Sequence, residues 1–261
     1  MSDYNEEAYE NALIELFQNM GWKHVYGPDI DRDWHSPLYD SVLEDSIHRI
    51  NPTAAPSAIN EALLKLRNFE NAELKKKNAL FMEYLQNGIE VSFSANGETK
   101  SDIIYIADFE NAGKSGDKNS YIVANQWTFI ENSNKRPDIL LFLNGLPICL
   151  FELKSPSREQ TDASEAYTQI RNYIQKIPSM FIYNCICVMS DQLTILYSGV
   201  PAASGGRAIR GSAIAPLPKG NGCAAATIPY MLCLLSRKKS RKDHSAIYQL
   251  LYSWIMNMFI P

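Results

Sequence analysis

Three ionisable residues stand at the ends of two neighbouring apolar runs in this sequence. Asp138 directly precedes the first run, while Glu152 and Lys154 end the second, with Glu152 fourteen residues after Asp138. The dipeptide Asn144-Gly145, typical of tight hairpin turns, lies between the runs. We therefore predict two paired, buried strands that carry two acids and a cation at their open end. Because an unpaired buried charge is costly, this cluster needs a partner, and a metal ion suits two acids.

The register of this hairpin decides whether the two acids meet. A three-residue loop over residues 144–146 would set Asp138 opposite Glu152, and directly opposed residues share one face of a sheet. A two-residue loop would instead set Asp138 opposite Phe151 and separate the acids. The prediction of a metal site therefore depends on the three-residue loop.

The chemistry of such an acid pair favours a hard divalent cation. Two carboxylates about 4 Å apart repel each other by about 4 kcal/mol at an effective dielectric constant near 20. Lys154 would offset part of this repulsion, and a divalent cation would offset more. One or two carboxylates suit Mg²⁺, which keeps several waters and takes further ligands from a phosphate.

Residues 136–154, which read RPDILLFLNGLPICLFELK, match the PD-(D/E)xK motif of a nuclease superfamily. With its Asn-Gly-Leu-Pro turn, this stretch resembles the nuclease domain at the N-terminus of the restriction (R) subunit of Type I restriction–modification enzymes. A helix around Glu10 is similar to the opening helix of that domain, and Gln169 and Tyr173 match its QxxxY element. The resemblance covers roughly residues 5–197.

The resemblance implies an α/β fold with a restriction-endonuclease-like mixed β-sheet flanked by helices. Asp138 and Glu152 would bind Mg²⁺, and Lys154 would orient the attacking water or stabilise charge on phosphorus. In this family an acid on the opening helix also reaches the metal site, although a carboxylate in a first helical turn can equally serve the helix dipole alone. The residues that the resemblance assigns to the active site are Asp138, Glu152, Lys154, Glu10, Gln169 and Tyr173.

The reaction that the resemblance implies is Mg²⁺-assisted hydrolysis of phosphodiester bonds in double-stranded DNA. The complete enzyme would also hydrolyse ATP in motor domains, and would assemble with a methylation subunit and a specificity subunit. This chain shows no ATP site of its own. The tripeptide Gly113-Lys114-Ser115 is no phosphate-binding loop, because Asp108 stands where the loop needs a glycine.

Two alternative functions stay open at this point. A RecB-like repair nuclease would share the superfamily motif, but the Asn-Gly-Leu-Pro turn and the opening helix argue against it. A catalytically silent DNA-binding or assembly module would share the fold, but the intact set of Asp138, Glu152 and Lys154 argues against decay of the site. Metal binding separates the silent module from the nuclease.

The composition fits a cytoplasmic domain without a membrane segment, and the resemblance implies a prokaryotic source. The 261 residues allow one large domain or two small ones, the acidic N-terminus is not a signal peptide, and no apolar run approaches about 20 residues. Five cysteines without a CxxC pair predict neither zinc nor disulfides, with Cys149 and Cys187 as reduced core residues.

The net charge of −4 argues against a generic DNA-binding tail, but local cations could still grip one phosphate. For each candidate except Lys154, a solvated surface position is the favoured interpretation. The candidate cations near the motif are Arg136, Lys154, Arg158, Arg171 and Lys176.

The remaining elements follow from apolar periodicity and from helix-breaking residues. Residues 1–198 are predicted to form the nuclease domain, and residues 199–261 a tail that departs from the family. The predicted elements are a helix from Asn5 to Gly21, an irregular segment 23–56, a long helix 57–86, strands 101–109 and 120–130 joined by a hairpin loop 111–119, a helix from 161 or 162 to 177, and strands 183–189 and 192–197.

Overall fold

The computed structural model describes residues 6–95, 97–153, 163–190 and 195–198. Its helices are α1 Glu6–Asn19, α2 Asp40–Ile50, α3 Pro56–Arg67, α4 Leu74–Asn87 and α5 Ala163–Lys176, with short 3-10 turns at Gly27–Asp29 and Pro178–Ile182. Its strands are β1 Lys23–Tyr26, β2 Ile89–Ala95, β3 Glu98–Ile104, β4 Tyr121–Asn125, β5 Phe129–Ile130, β6 Asn134–Lys135, β7 Ile139–Leu143, β8 Leu146–Leu153, β9 Ile186–Ser190 and β10 Ile195–Ser198.

A mixed sheet of six strands forms the centre of the fold, in the order β1-β4-β7-β8-β9-β10. The pairs β1–β4 and β8–β9 are parallel, and the other neighbours are antiparallel. Helix α1 packs against β1, β4 and β8, while α5 packs against β8 and β9. The architecture is the predicted restriction-endonuclease-like mixed sheet flanked by helices.

The two faces of the sheet bury different apolar sets, which explains why β7 has no polar residue. On the α1 face, the ring of Phe17 lies 5.9 Å from that of Phe151, measured between centroids. On the opposite face, α5 contributes Ile170, Tyr173 and Ile177 to a core that includes Leu140 and other residues of β4 and β7. Both faces of the central hairpin are thus covered by helices.

The prediction that residues 23–56 are irregular was wrong. This segment contains β1, which pairs with β4, and α2, whose Leu43 and Ile47 are fully buried. Strand β1 ends before Pro28 and α2 lies between Pro37 and Pro52, so the prolines mark the limits of elements and do not exclude them.

The predicted long helix over 57–86 is in fact two helices, α3 and α4. Helix α3 ends at Asn68, whose backbone N–H and side-chain Nδ2 both donate to the Leu64 carbonyl, at 2.9 and 3.1 Å. Such side-chain bonds compete with continued helix formation. The predicted end of the second helix at Asn87-Gly88 is confirmed, and Gly88 has a φ of +79°.

The predicted hairpin across residues 111–119 was also wrong. Strand β3 pairs with β2, which the sequence analysis did not identify, whereas β4 pairs with β1 and β7. Residues 108–118 belong to a compact unit separate from the one that carries the sheet. Within this segment, the Asp108 carboxylate accepts hydrogen bonds from the backbone and the side chain of Asn111.

The C-terminal elements of the sheet match their predictions. Helix α5 and strands β9 and β10 lie within two to three residues of the expected limits, and Cys149 and Cys187 are buried free thiols. Across the ranges the structure describes, no helix has both the length and the apolarity needed to cross a bilayer. The predicted tail, 199–261, lies outside the described residues, and its departure from the family stays a prediction.

Candidate active site

The turn between β7 and β8 has two residues, so the predicted three-residue loop was wrong. Leu143 pairs with Leu146, and Asn144 and Gly145 have φ angles of +52° and +80°. Both central residues of a type I′ turn need positive φ, which Asn and Gly tolerate best. The dipeptide therefore selects the tighter turn.

The side chain of Asn144 fixes this turn in the interior, where it is fully buried. Its Oδ1 accepts a hydrogen bond from the Ser120 backbone N–H at 2.7 Å. Its Nδ2 donates to the carbonyl of Ile106 and to Oδ1 of Asn119, at 3.0 and 2.8 Å. The turn residue thus has several hydrogen-bonding partners in addition to the hairpin itself.

A β-bulge in β8 restores the alignment that the two-residue turn alone would lose. Phe142 pairs with Pro147 and Leu141 pairs with Cys149, so Ile148 is an extra residue. Beyond the bulge every pair is shifted by one position. Bulges of this kind re-aim the side chains that follow them and are frequent beside active sites.

The shifted register brings the two acids of the motif together at the open end of the hairpin. Ile139 pairs with Phe151, so the next step of the ladder sets Asp138 opposite Glu152. Oδ2 of Asp138 accepts a hydrogen bond from the backbone N–H of Leu153 at 2.7 Å. Glu152 is fully buried, whereas Asp138 is half-buried.

Two residues of α5 complete the surroundings of Glu152. The side chain of Gln169 donates from Nε2 to the hydroxyl of Tyr173 at 2.8 Å. Burial raises the pKa of Tyr173, and the negative charge of Glu152, a hydrogen bond with Glu152 and the charge of Asp138 raise it further. The phenol therefore stays protonated at neutral pH and can donate to the Glu152 carboxylate. The structure thus brings Asp138, Glu152, Gln169 and Tyr173 into one cluster.

Glu10 reaches the same edge of the sheet from the α1 face. Its Oε1 accepts a hydrogen bond from Nδ2 of Asn125 at 2.7 Å, and the side-chain amide of Gln126 lies 3.4 Å from both carboxylate oxygens. Asn125 pairs with Ile139, the residue after Asp138. The carboxylate of Glu10 is therefore held from α1 at the end of β4, the strand that pairs with β7.

Two polar residues at this edge were missed by the sequence analysis. Asn125 ends β4 and Gln126 follows it, and polar residues at the end of an apolar strand are the signal that could have identified them. Oδ1 of Asn125 also lies 2.9 Å from Nε2 of His24. Because Nδ2 of Asn125 already donates to Glu10, this oxygen accepts from the histidine.

Of the five predicted cations, three lie among the described residues. Lys154 and Arg158 lie outside the described residues, while Arg136, Arg171 and Lys176 are exposed. A cation that the sequence analysis did not consider, Lys135, has its Nζ 6.0 Å from the centre of the Tyr173 ring. Its position immediately before the motif was the available signal.

The donor atoms of the acid pair fit a hard cation. Asp138 and Glu152 offer carboxylate oxygens, and opposed carboxylates are most stable with a positive charge between them. Within the described ranges, no group of three or more His, Cys, Asp or Glu side chains has metal-binding geometry. A two-carboxylate site suits Mg²⁺, which completes its shell with water and phosphate, better than it suits zinc.

Most of the chain, including the acid cluster, matches a known protein family. Residues 3–205 match the model of a family described as the Type I restriction enzyme R protein N terminus. The chain belongs to this family. The match includes all the residues of the cluster and, because it identifies the Type I family, it decides against the RecB-like alternative.

Two similar proteins also have names of Type I restriction enzyme subunits. The chain is 30% identical over 197 residues to the Type I restriction enzyme HindI endonuclease subunit of Haemophilus influenzae, which is 72% of this chain and 18% of that protein. It is 32% identical over 204 residues to the putative Type I restriction enzyme MjaIXP endonuclease subunit of Methanocaldococcus jannaschii, which is 74% of this chain and 19% of that protein. The chain thus spans about a fifth of the length of these relatives.

Proposed function

We propose that this chain is the Mg²⁺-dependent DNA-cutting domain of a Type I restriction enzyme, hydrolysing phosphodiester bonds in double-stranded DNA. The observation that carries this proposal is the bulge at Ile148, which sets Asp138 opposite Glu152 at the edge of the sheet. Family membership and the names of the relatives support a role in restriction.

The roles of the individual side chains follow from their contacts. Asp138 and Glu152 would hold Mg²⁺, and the bound ion would neutralise a phosphate oxygen and lower the pKa of an attacking water. The Leu153 backbone N–H donates to Oδ2 of Asp138 and so fixes the orientation of this carboxylate. Lys154, two residues after Glu152, is assigned to orient the water or to stabilise charge on phosphorus.

The hydroxyl of Tyr173 has a supporting role in this proposal. Gln169 donates to it and orients it, so that its own proton points to Glu152. Hydrogen bonds of this kind fix the orientation of a metal-binding carboxylate and typically contribute about 10- to 100-fold in metal affinity or activity. Glu10, held by Asn125, adds a further carboxylate at the same edge.

In the complete assembly, each domain or subunit is proposed to have a different function. This chain would carry the cutting chemistry, ATP-dependent motor domains would move DNA, and the specificity and methylation subunits would provide recognition and protection. These assignments follow the Type I restriction enzyme family to which the chain belongs.

The experiment is a cleavage assay of the whole chain on plasmid DNA with Mg²⁺ or Mn²⁺, together with the variant Glu152→Gln. We expect metal-dependent cutting by the parent chain, and at least a roughly 100-fold slower rate for the variant, because the loss of a ligand should exceed the loss of a residue that only orients one. Nicked and linear products are quantified over time on gels.

A matched control is Glu90→Gln, since Glu90 is an exposed glutamate of β2 and lies outside the acid cluster. This variant should cut like the parent. A parent chain that neither binds Mg²⁺ or Mn²⁺ nor cuts DNA would contradict the proposal and favour the catalytically silent module. Equal rates for the parent and Glu152→Gln would contradict the assignment of the site.

A further inference from the structure

Lys135 lies beside the acid cluster, although its side chain takes no part in it. Its Nζ is 6.0 Å from the centre of the Tyr173 ring, a distance at which a cation is still attracted to an aromatic face. Tyr173 in turn contacts Glu152. Lys135 thus lies near the ring whose hydroxyl contacts Glu152, and the residue is half-buried.

The backbone that carries Lys135 is held firmly in place. Strands β5 and β6 form a short ribbon in which Phe129, fully buried, pairs with Lys135. At the ribbon's turn, the Glu131 carboxylate accepts hydrogen bonds from the backbone N–H and the hydroxyl of Ser179, at 3.0 and 2.8 Å. The Asn132 N–H donates to the Lys176 carbonyl at 3.0 Å. The ribbon therefore presents the lysine on a fixed support.

The negative charge of the cluster suggests a role for Lys135 in binding DNA. A DNA strand that enters the site brings negative phosphates towards Asp138 and Glu152, so a fixed cation nearby would offset the repulsion. In the part of the chain that the structure describes, no carboxylate forms an ion pair with Lys135. Among these residues its charge is not neutralised, so it can attract an incoming anion.

We infer that Lys135 binds a backbone phosphate of the DNA strand next to the bond that is cut. This inference rests on the proposed function and adds a residue that holds the substrate without taking part in the chemistry. Phosphate contacts fix the register of a protein on DNA, and each contact steepens the dependence of binding on salt.

The test is the binding of a short labelled duplex to the whole chain, measured by fluorescence anisotropy in Ca²⁺ over a series of salt concentrations. For Lys135→Gln we expect several-fold weaker binding and a slope of log K against log salt that is less negative by about 0.9. Lys135→Arg keeps the charge and should retain the parent slope. Lys75→Gln, at an exposed position of α4, is the matched control and should also bind like the parent.

Unfolding curves of each variant show whether the fold is retained. A slope for Lys135→Gln equal to that of the parent and of Lys75→Gln would overturn the inference while the proposed function stands. An equal loss in Lys75→Gln would overturn it too, because the effect would then reflect overall charge. If the parent itself failed to bind DNA, the proposed function would fail first.

Discussion

Among the antiparallel hairpins of the described residues, β2–β3 and β7–β8 look alike in outline but differ in the regularity of their pairing. In β2–β3 the ladder runs without interruption from the pair Ile89–Ile104 to the pair Ala95–Glu98. In β7–β8 the ladder is interrupted by the bulge at Ile148. The first hairpin exposes nearly all of β3, whereas the second buries every residue of β7.

The comparison shows what a regular ladder cannot do. With a two-residue turn, an uninterrupted ladder would set Asp138 opposite Phe151, and the two acids would lie on different faces of the sheet. One extra residue in β8 corrects this at the cost of local irregularity. Pairing is regular in β2–β3, whereas β7–β8 departs from it at Ile148, four residues before Glu152.

The largest expected effect compares one phenylalanine from each hairpin. Phe142 is fully buried and packs 4.8 Å from the ring of Trp127, between centroids, whereas Phe93 of β2 is only half-buried. Phe142→Ala should lower the free energy of unfolding by about 3–5 kcal/mol, the usual cost of deleting a buried ring. Phe93→Ala should lower the free energy of unfolding by clearly less, because Phe93 is only half-buried. Urea unfolding measures both, and equal losses would contradict the difference in burial.

A second pair of variants compares the glycines of the two turns. Gly145 and Gly97 have nearly the same φ, +80° and +78°. A Cβ at Gly145 would lie 2.6 Å from the Tyr39 carbonyl oxygen and 2.7 Å from the Leu43 nitrogen, whereas a Cβ at Gly97 would meet nothing within 4 Å.

Alanine at Gly97 should therefore cost only the backbone strain, about 1–2 kcal/mol, while alanine at Gly145 adds a steric clash of about 1–3 kcal/mol. The difference between the two losses, from urea unfolding, isolates the clash. Similar losses would show that the central turn has more room than its contacts indicate.

The smallest expected effect is in alkaline solution and concerns the buried region only. The hairpin β2–β3 contains no cysteine, while Cys187 of β9, next to β8, has its pKa raised from 9.0 to about 12 by burial. Below pH 9 the Cys187 thiol is protonated in both the folded and the unfolded chain. Between pH 9 and 12 the unfolded chain loses this proton first, so stability falls by on the order of 1 kcal/mol per pH unit.

The variant Cys187→Ala removes this contribution. Its unfolding free energy should fall less steeply with pH than that of the parent, whatever the packing loss at neutral pH. Urea midpoints under reducing conditions between pH 8 and pH 11 compare the two slopes, with about 1 kcal/mol per pH unit expected between them. Parallel slopes would contradict the effect of burial on the thiol.

Much of the fold could be predicted from the sequence, because long apolar runs and helical periodicity are local signals. The central hairpin, α1 and α5 are such cases. The partner of β3 could not be predicted, since pairing depends on residues far apart in the chain. The break between α3 and α4 was missed because the apolar pattern continues beyond Asn68, and only its side-chain bond marks the end.

The site was predictable in its residue types and less so in its geometry. The meeting of Asp138 and Glu152 was expected from a three-residue loop, but it arises from a two-residue turn and a bulge. Because β8 is almost wholly apolar, no alternation in its sequence could reveal the bulge. The contact of Tyr173 with Glu152 and the position of Lys135 depend on how α5 and the β5–β6 ribbon pack, which a local pattern does not contain.

The most direct test of the central claim is a double-mutant cycle on metal affinity. Mn²⁺ binding is measured by calorimetry for the parent chain, Asp138→Asn, Glu152→Gln and the double variant. If the bulge makes the two acids one site, each single change should weaken Mn²⁺ binding at least about 10-fold. The loss of binding free energy in the double variant should then be smaller than the sum of the two single losses. Additive losses, or binding that none of the variants alters, would show that the two acids do not share a metal ion.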